Sequence, residues 1–233
     1  MWTASPIIGF DTETTGIDSL NDRLVTASAV VVEADAVTKH YWLADPGVEI
    51  PDAAARVHGI TTEHARANGR PAKEVLGELA DLLELHMSQG HAVVAFNASY
   101  DLTLLEAELS RHDLPTLAER LGREPGPVVD PYMLDRAKDR FRKGKRKLED
   151  LARHYGVFEE DSFHNAEADV LATLRVLGAM VRKWPEMAEE SLDSLMDVQR
   201  EAYKEWINFL SGRAASAGRS FNEPVGWPVA PVR

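Results

Sequence analysis

The stretch Phe10-Asp11-Thr12-Glu13-Thr14-Thr15-Gly16 decides how this chain reads. An apolar run over 7–10 leads straight into two carboxylates two residues apart, and a hydroxyl-rich turn closes at a glycine. Side chains of a strand alternate between faces, so Asp11 and Glu13 present their oxygens together while Ile8, Phe10 and Thr12 face the other way. Two anions side by side at the end of a buried strand repel one another, and a shared cation relieves that repulsion. Taken alone, the pair reads equally well as a polar strand end running into a turn. The rest of the chain has to decide.

Its 233 residues, 44% of them apolar, suffice for one substantial core or a core with a small appendage. With no cysteine, disulfides, thiol nucleophiles and cysteine-ligated metal centres are excluded. No apolar run approaches the length of a membrane span, and the start of the chain lacks the basic and apolar segments of a signal peptide. A cytoplasmic protein without a membrane partner is therefore expected. The net charge of -12 argues against coating nucleic acid by bulk electrostatics, yet Arg140, Arg142, Lys143, Lys145, Arg146 and Lys147 make a local basic run. Such a run is commonly a solvated loop. It can equally guide a phosphate backbone, with Arg142, Lys143, Lys145 and Arg146 as the contacts.

Along the chain, valine-rich segments over 23–33 and 37–44 follow the first strand after short turns, which predicts an antiparallel meander. Helical patterns follow over 51–57 and 71–87, the second striped by Val75, Leu76, Leu79, Leu82 and Leu83. A buried strand over 91–96 turns at Asn97 into a helix striped by Leu102, Leu105 and Leu109. Val128 and Val129 form a last short strand, with Pro131 suited to the first turn of a helix. A helix over 148–155 and a stronger one striped by Val170, Leu171, Leu174, Leu177 and Val181 complete the core. The pattern predicts a five-stranded mixed α/β sheet flanked by helices. Residues 1–184 form the main domain, 185–212 a helical extension packed on the core or on a partner, and 213–233 a flexible tail.

Two later carboxylates share the setting of the first pair. Asp101 follows the strand over 91–96 near a helix start, and Asp169 lies near the start of the helix after His164. Carboxylates suit helix N-termini for structural reasons alone, but strand ends and helix starts of an α/β fold converge on one edge. In His164-Asn165-Ala166-Glu167-Ala168-Asp169 the small residues permit close approach to a sheet, while the histidine stays on the loop.

These three stretches, Phe10–Gly16, Phe96–Asp101 and His164–Asp169, together resemble the motifs of the DnaQ-like exonucleases, which include the proofreading epsilon subunit of bacterial DNA polymerase III. Val57-His58-Gly59-Ile60-Thr61 resembles a further element of that family, and the likeness spans roughly residues 7 to 182. A histidine in the third motif implies the DEDDh branch. The resemblance implies a ribonuclease-H-like fold and 3′→5′ removal of nucleotides from a nucleic acid end, DNA ahead of RNA, in proofreading, repair or turnover. It further implies that Asp11, Glu13, Asp101 and Asp169 hold two divalent ions, with His164 as general base. Oxygen ligands without cysteine suit Mg2+ or Mn2+. Around this centre Thr14, Thr15 and Gly16 are expected to approach the terminal nucleotide, with His58, Ile60, Phe96, Asn97 and Tyr100 as neighbours. Phe96 and Tyr100 depart from the histidine and phenylalanine common there. A DNA polymerase subunit and a second copy of the chain are the candidate protein partners. Two alternatives differ in kind: a haloacid-dehalogenase-type phosphatase, which fits the Thr-Thr-Gly ending and the His164 motif poorly, and a degenerate adaptor, whose signature would be a lost ligand.

Overall fold

The computed structural model describes residues 1–159, 166–221 and 224–232. A 3-10 turn, Trp2–Ala4, leads into β1 (Ile7–Thr14), β2 (Leu24–Val32) and β3 (Val37–Asp45). Two short helices, α1 (Asp52–His58) and α2 (Thr62–Asn68), and the two-residue β4 (Arg70–Pro71) precede α3 (Ala72–Ser88). Then come β5 (Ala92–Val94), α4 (Ala98–Arg111), α5 (Leu117–Leu121), β6 (Val128–Val129), α6 (Pro131–Lys138) and α7 (Leu148–His154). Helices α8 (Ala166–Lys183), α9 (Glu186–Glu189) and α10 (Leu192–Ser216) complete the described chain.

The sheet runs β4-β3-β2-β1-β5-β6, six strands where five were expected. The sixth, β4, pairs parallel with β3 only at Ala44 and Asp45, too short to leave a hydrophobic period in the sequence. The meander is antiparallel, as its short turns require, and β5 and β6 add in parallel beside β1. Every residue of β2 but the last is buried, because helices cover both faces of the sheet. On one face Ile8 and Phe10 join Leu76, Leu79, Leu83, Leu102 and Leu105 from α3 and α4; on the other, Ala92 and Val94 meet Val176, Leu177 and Met180 of α8. Thus β1 carries its apolar side chains into one core and its carboxylates toward the other face.

Three elements differ from expectation. The buried face of α8 is centred on Val170, Thr173, Val176, Leu177 and Met180, while Leu171, Leu174 and Val181 are half-buried, because the helix lies in a tight seat on the sheet rather than on its most apolar stripe. The predicted helix over 186–210 is interrupted at Glu190, and Ser191 caps α10 by accepting from the Ser194 N–H at 3.1 Å; α10 then continues past Leu210 to Ser216. The tail, expected to be flexible, lays Trp227 and Ala230 into the core, with the Ala230 N–H donating to Thr103 Oγ1 at 2.9 Å and the Gly226 N–H to the Tyr203 hydroxyl at 3.1 Å.

Helix α10 also covers an exposed sheet edge. Among the described residues no strand lies on the outer side of β6, and unpaired backbone groups there would be costly once buried. Gln199, fully buried, takes the place of a strand: its Oε1 accepts from the Asp130 N–H, and its Nε2 donates to the carbonyls of Val128 at 3.1 Å and Leu195 at 2.9 Å. Gln199→Leu strands a buried N–H and a buried C=O, and should cost about 1–3 kcal/mol, read as a lowered midpoint in thermal or urea denaturation. An unchanged midpoint would show that water or a rearranged helix satisfies that edge.

Candidate active site

The site begins where β1 meets β5. Parallel strands ending at one edge, followed by helices, bring their carboxyl ends and the helix starts together. The β1–β2 register shifts between Glu13 and Thr14, a bulge at the point where the carboxylates must be aimed. At that bulge the Leu24 N–H leaves the ladder and donates to Glu108 Oε2 of α4 at 3.0 Å.

Asp169 reaches the pair because α8 lies close on β1 at Gly9. A methyl group at Gly9 would stand 2.7 Å from Val170 Cγ1 and 3.0 Å from Leu174 Cδ1, so a side chain there would displace these two or the helix that carries them. With glycine there, oxygens of Asp11, Glu13 and Asp169 all lie within 4.8 Å of one another. The expectation that Ala166 and Ala168 would permit close approach named the right helix. The residue on the sheet that makes room is Gly9, which alternation in β1 places on the same face as Asp11 and Glu13.

Asp101 completes the set from α4 and is almost fully buried. Its Oδ1 accepts from both the Thr12 N–H at 3.1 Å and the Thr12 hydroxyl at 2.6 Å, so Thr12, facing away from the acid pair, holds the opposite carboxylate in place. The start of α4 is itself fixed by Asp130, which accepts from the N–H groups of Asn97 at 3.0 Å, Ala98 at 3.1 Å and, capping α6, Tyr132 at 2.9 Å. Asn97 takes a left-handed turn with φ 61°, a conformation asparagine tolerates better than most residues. Asp130 and Gln199 therefore position the site without touching it; Asp130 before Pro131 reads in the sequence only as a helix cap, and nothing in its local sequence marks Gln199.

Crowding and burial show in the proton affinities. Burial drives Asp11 well above the usual carboxylate range, with Asp101, Asp169 and Glu13 adding repulsion in that order. Burial and then Asp169 push Glu13 up to about 7, and burial pushes Asp101 to about 7 against the opposing Thr12 hydrogen bonds. A cluster of carboxylates that resists ionisation is stabilised by a cation, and its all-oxygen donors suit a hard divalent metal.

The loop after Glu13 is tied internally. Thr14 Oγ1 donates to the Gly16 carbonyl at 2.6 Å, the Tyr100 hydroxyl donates to that same carbonyl at 2.6 Å, and Thr15 Oγ1 donates to Asp22 at 2.7 Å. Gly16 is needed because a Cβ there would meet the Asp22 carboxylate at 2.5 Å; the room it leaves is filled from within the protein. His58 accepts the Ile60 N–H on Nδ1 at 3.1 Å, and burial lowers its pKa despite the Thr14 carbonyl nearby. Ile60 packs on Val25, Ile50 and Ala65. His164 lies outside the described residues.

Asp11 and Asp101 line a cavity of 1020 Å3, together with Phe96, Asn97 and Tyr100. Of the expected phosphate contacts, Arg142, Lys145 and Arg146 line it and Lys143 does not. Arg142 and Arg146 both bind the fully buried Asp135, Arg142 Nη2 at 3.2 Å, and Arg146 also donates to the Asp135 and Asp139 carbonyls. These two arginines fold the loop, and the exposed Lys145 is carried on it. Tyr132, Arg136, Trp206 and Phe209 line the same cavity and escaped the sequence reading, since their contact joins α6 to α10 across some seventy residues.

Comparison with known proteins agrees with this geometry. The family model RNase_T, described as "Exonuclease", matches residues 8–177. The chain is 30% identical over 175 residues to the DNA polymerase III PolC-type of Streptococcus thermophilus, covering 74% of this chain and 11% of that protein. It is 28% identical over 176 residues to the PolC-type polymerase of Streptococcus pneumoniae, with 75% and 11% covered. It thus spans about a tenth of the length of these relatives. Among solved structures, Escherichia coli ExoI bound to single-stranded DNA and zinc superposes with a TM-score of 0.67 at 20% identity, over 79% of this chain and 42% of that one. Exonuclease I of Methylocaldum szegediense gives 0.65 at 20% identity, over 88% and 46%. At that identity the likeness is one of fold, and it is the ribonuclease-H-like fold. The chain belongs to this exonuclease family.

Proposed function

We propose that the chain hydrolyses the terminal phosphodiester at the 3′ end of single-stranded DNA, releasing nucleoside 5′-monophosphates, with two divalent ions held by Asp11, Glu13, Asp101 and Asp169. The observation that carries the reading is the convergence of three carboxylates within 4.8 Å beside a fourth, two of the four, Asp11 and Asp101, lining a cavity rich in cationic and aromatic side chains. The donor set fits Mg2+ or Mn2+: all oxygen, clustered, and raised in pKa by mutual repulsion and burial. Bound there, the ions supply positive charge at the scissile phosphate and acidify the attacking water.

The protein's own groups do the remainder. Asp101 stays aimed because Thr12 occupies one of its oxygens, leaving the other for the site. Asp169 is held by the rigid seat of α8 on Gly9. His164, five residues before Asp169 in the chain, takes the proton of the attacking water, a task suited to an imidazole with a pKa near neutrality. Lys145 meets the backbone phosphates from the cavity wall. DNA as substrate, and a DNA polymerase as partner, are supported by the match to a stretch of PolC-type polymerases and by the fold shared with an exonuclease crystallised on single-stranded DNA.

End-labelled single-stranded DNA, duplex DNA and RNA, incubated with Mg2+ or Mn2+, test the proposal together. Nucleotide-by-nucleotide shortening of the single strand from its 3′ end is the expected result, and failure to shorten any of the three sinks it. Glu13→Ala and Asp169→Ala should each abolish metal-dependent shortening while preserving the circular dichroism spectrum; full activity in either removes that carboxylate from the site. His164→Ala should reduce kcat by about 100-fold or more with little change in KM, as loss of a general base does. A raised KM with kcat intact would assign His164 to binding instead.

Without metal, the raised carboxylates also set a pH dependence. An acid with a higher pKa folded than unfolded holds more protons in the folded state, so its stabilising contribution is full below its unfolded pKa and is lost as pH rises through the folded one. For Glu13 that window runs from 4.5 to about 7. In EDTA the Tm of Glu13→Gln should therefore gain on the wild type as pH rises from about 4.5 to 7.5. Mn2+ should raise the wild-type Tm more at the upper end than at the lower. A Tm difference that stays flat across the window contradicts this account.

A further inference from the structure

Cations and aromatic rings alternate along one wall of the cavity, from the carboxylate edge out to the last helix. Phe96, at the end of β5, contacts Tyr132 with ring centroids 5.5 Å apart. The Arg136 guanidinium lies over the Tyr132 ring at 4.5 Å and over the Trp206 ring at 3.3 Å, and its Nη2 donates to the Tyr132 hydroxyl at 2.7 Å. Trp206 stacks on Phe209 at 5.5 Å with the planes 22° apart, and the Arg213 guanidinium stands 5.7 Å from Phe209. Phe209 is 53% exposed, an apolar ring facing solvent beside a line of cations.

Packing alone does not account for this wall. Phe209 carries the Trp206 stack out into solvent beside those cations, and Arg136 Nε is buried without a hydrogen-bond partner. Nor does the family match account for it. Trp206, Phe209 and Arg213 all belong to α10, which begins at Leu192, after the family match has ended at residue 177. The charge is equally out of character: a chain of net charge -12 gathers Arg136, Lys145, Lys147 and Arg213 around one cavity, beside Arg140, which is paired with Glu205 at 3.1 Å. Rings interleaved with cations are what a single strand requires, because bases stack on the rings and phosphates meet the cations without reading sequence.

We propose that α10 and α6 form a stacking platform for the unpaired nucleotides on the 5′ side of the terminal one, with the exposed Phe209, backed by Trp206, taking a base and Arg213, Lys145 and Lys147 the neighbouring phosphates. This rests on the single-stranded DNA reading of the acidic centre. The cavity, 1020 Å3, is at the top of the roughly 300–1,000 Å3 of a small-molecule site, which gives space for more than the reacting nucleotide. The platform binds by stacking, so duplex DNA, whose bases are already stacked, gains little from it.

The test is equilibrium binding of a fluorescein-labelled oligo-dT to the full chain in EDTA, read by anisotropy, so that no hydrolysis intervenes. Phe209→Ala and Trp206→Ala should each weaken binding by about 5- to 150-fold, the effect of removing one stacked base platform. Trp206→Phe should recover most of the loss. An abasic residue placed stepwise along the oligonucleotide should weaken the wild type at some position 5′ of the end, and cost nothing further there in the alanine variant. That loss of additivity would not follow from a merely structural role. The salt slope should stay unchanged in Phe209→Ala and fall in Lys145→Ala/Lys147→Ala. Equal binding by wild type and both alanine variants, with wild-type shortening of DNA intact, overturns the platform alone. A wild type that neither binds nor shortens single-stranded DNA removes the enzymatic reading and the platform with it.

Discussion

The seat of α8 on Gly9 is the constraint on which the site depends. Asp11 and Glu13 are adjacent by strand geometry, but a third carboxylate has to come from a helix, and a helix on a sheet normally stands off by the thickness of two side chains. Removing one of those side chains lets Val170 and Leu174 occupy the space above β1. Asp169, one residue before Val170, is thereby delivered to the strand end. The same contact explains why the most apolar stripe of α8 is not its most buried one. Position over Gly9, rather than maximal burial of leucine, sets the helix rotation.

On the other side of β1 the support is polar. Thr12 holds Asp101, Asp130 ties the starts of α4 and α6 together, and Gln199 of α10 closes the edge strand whose end Asp130 occupies. Burial raises Asp130 to about 6 in spite of the N–H groups it accepts from. A buried carboxylate kept under that penalty is structural cement only while every donor is in place. The network couples the C-terminal helix to the acidic centre through covalently distant residues. Changes in α10 therefore reach Asp101 through backbone position as well as through the cavity wall.

Much of this was legible in the sequence, for physical reasons that differ by element. The meander could be read because antiparallel hairpins need short turns, and the acidic pair because strand alternation is strict. Asp101 and Asp169 could be placed because α/β topology forces strand ends and helix starts to one edge. What could not be read depends on contacts between distant segments with no periodic trace. Gly9 looks like any glycine in a strand until Val170 is known to lie above it. Gln199 looks like a polar residue on an amphipathic helix, although it acts as a seventh strand. Gly16 looks like an ordinary turn glycine until the Asp22 carboxylate is found where its side chain would stand. The basic run was visible as charge, but its division of labour was not: Arg142 and Arg146 are consumed by Asp135, and only the structure separates them from Lys145.

That division bears on how an acidic protein can manage a polyanion. Two arginines locked on one buried carboxylate lose half of their combined charge to it; they fix a loop so that the exposed lysines beside it sit at defined positions. Field strength in the cleft then comes from few cations held in place rather than from many mobile ones, and the surrounding negative surface discourages phosphate from binding elsewhere. Nucleic acid is favoured where the cations, the rings and the carboxylate cluster coincide. On the proposed function, a net charge of -12 with a single basic run provides selectivity for that one place more than affinity for DNA in general.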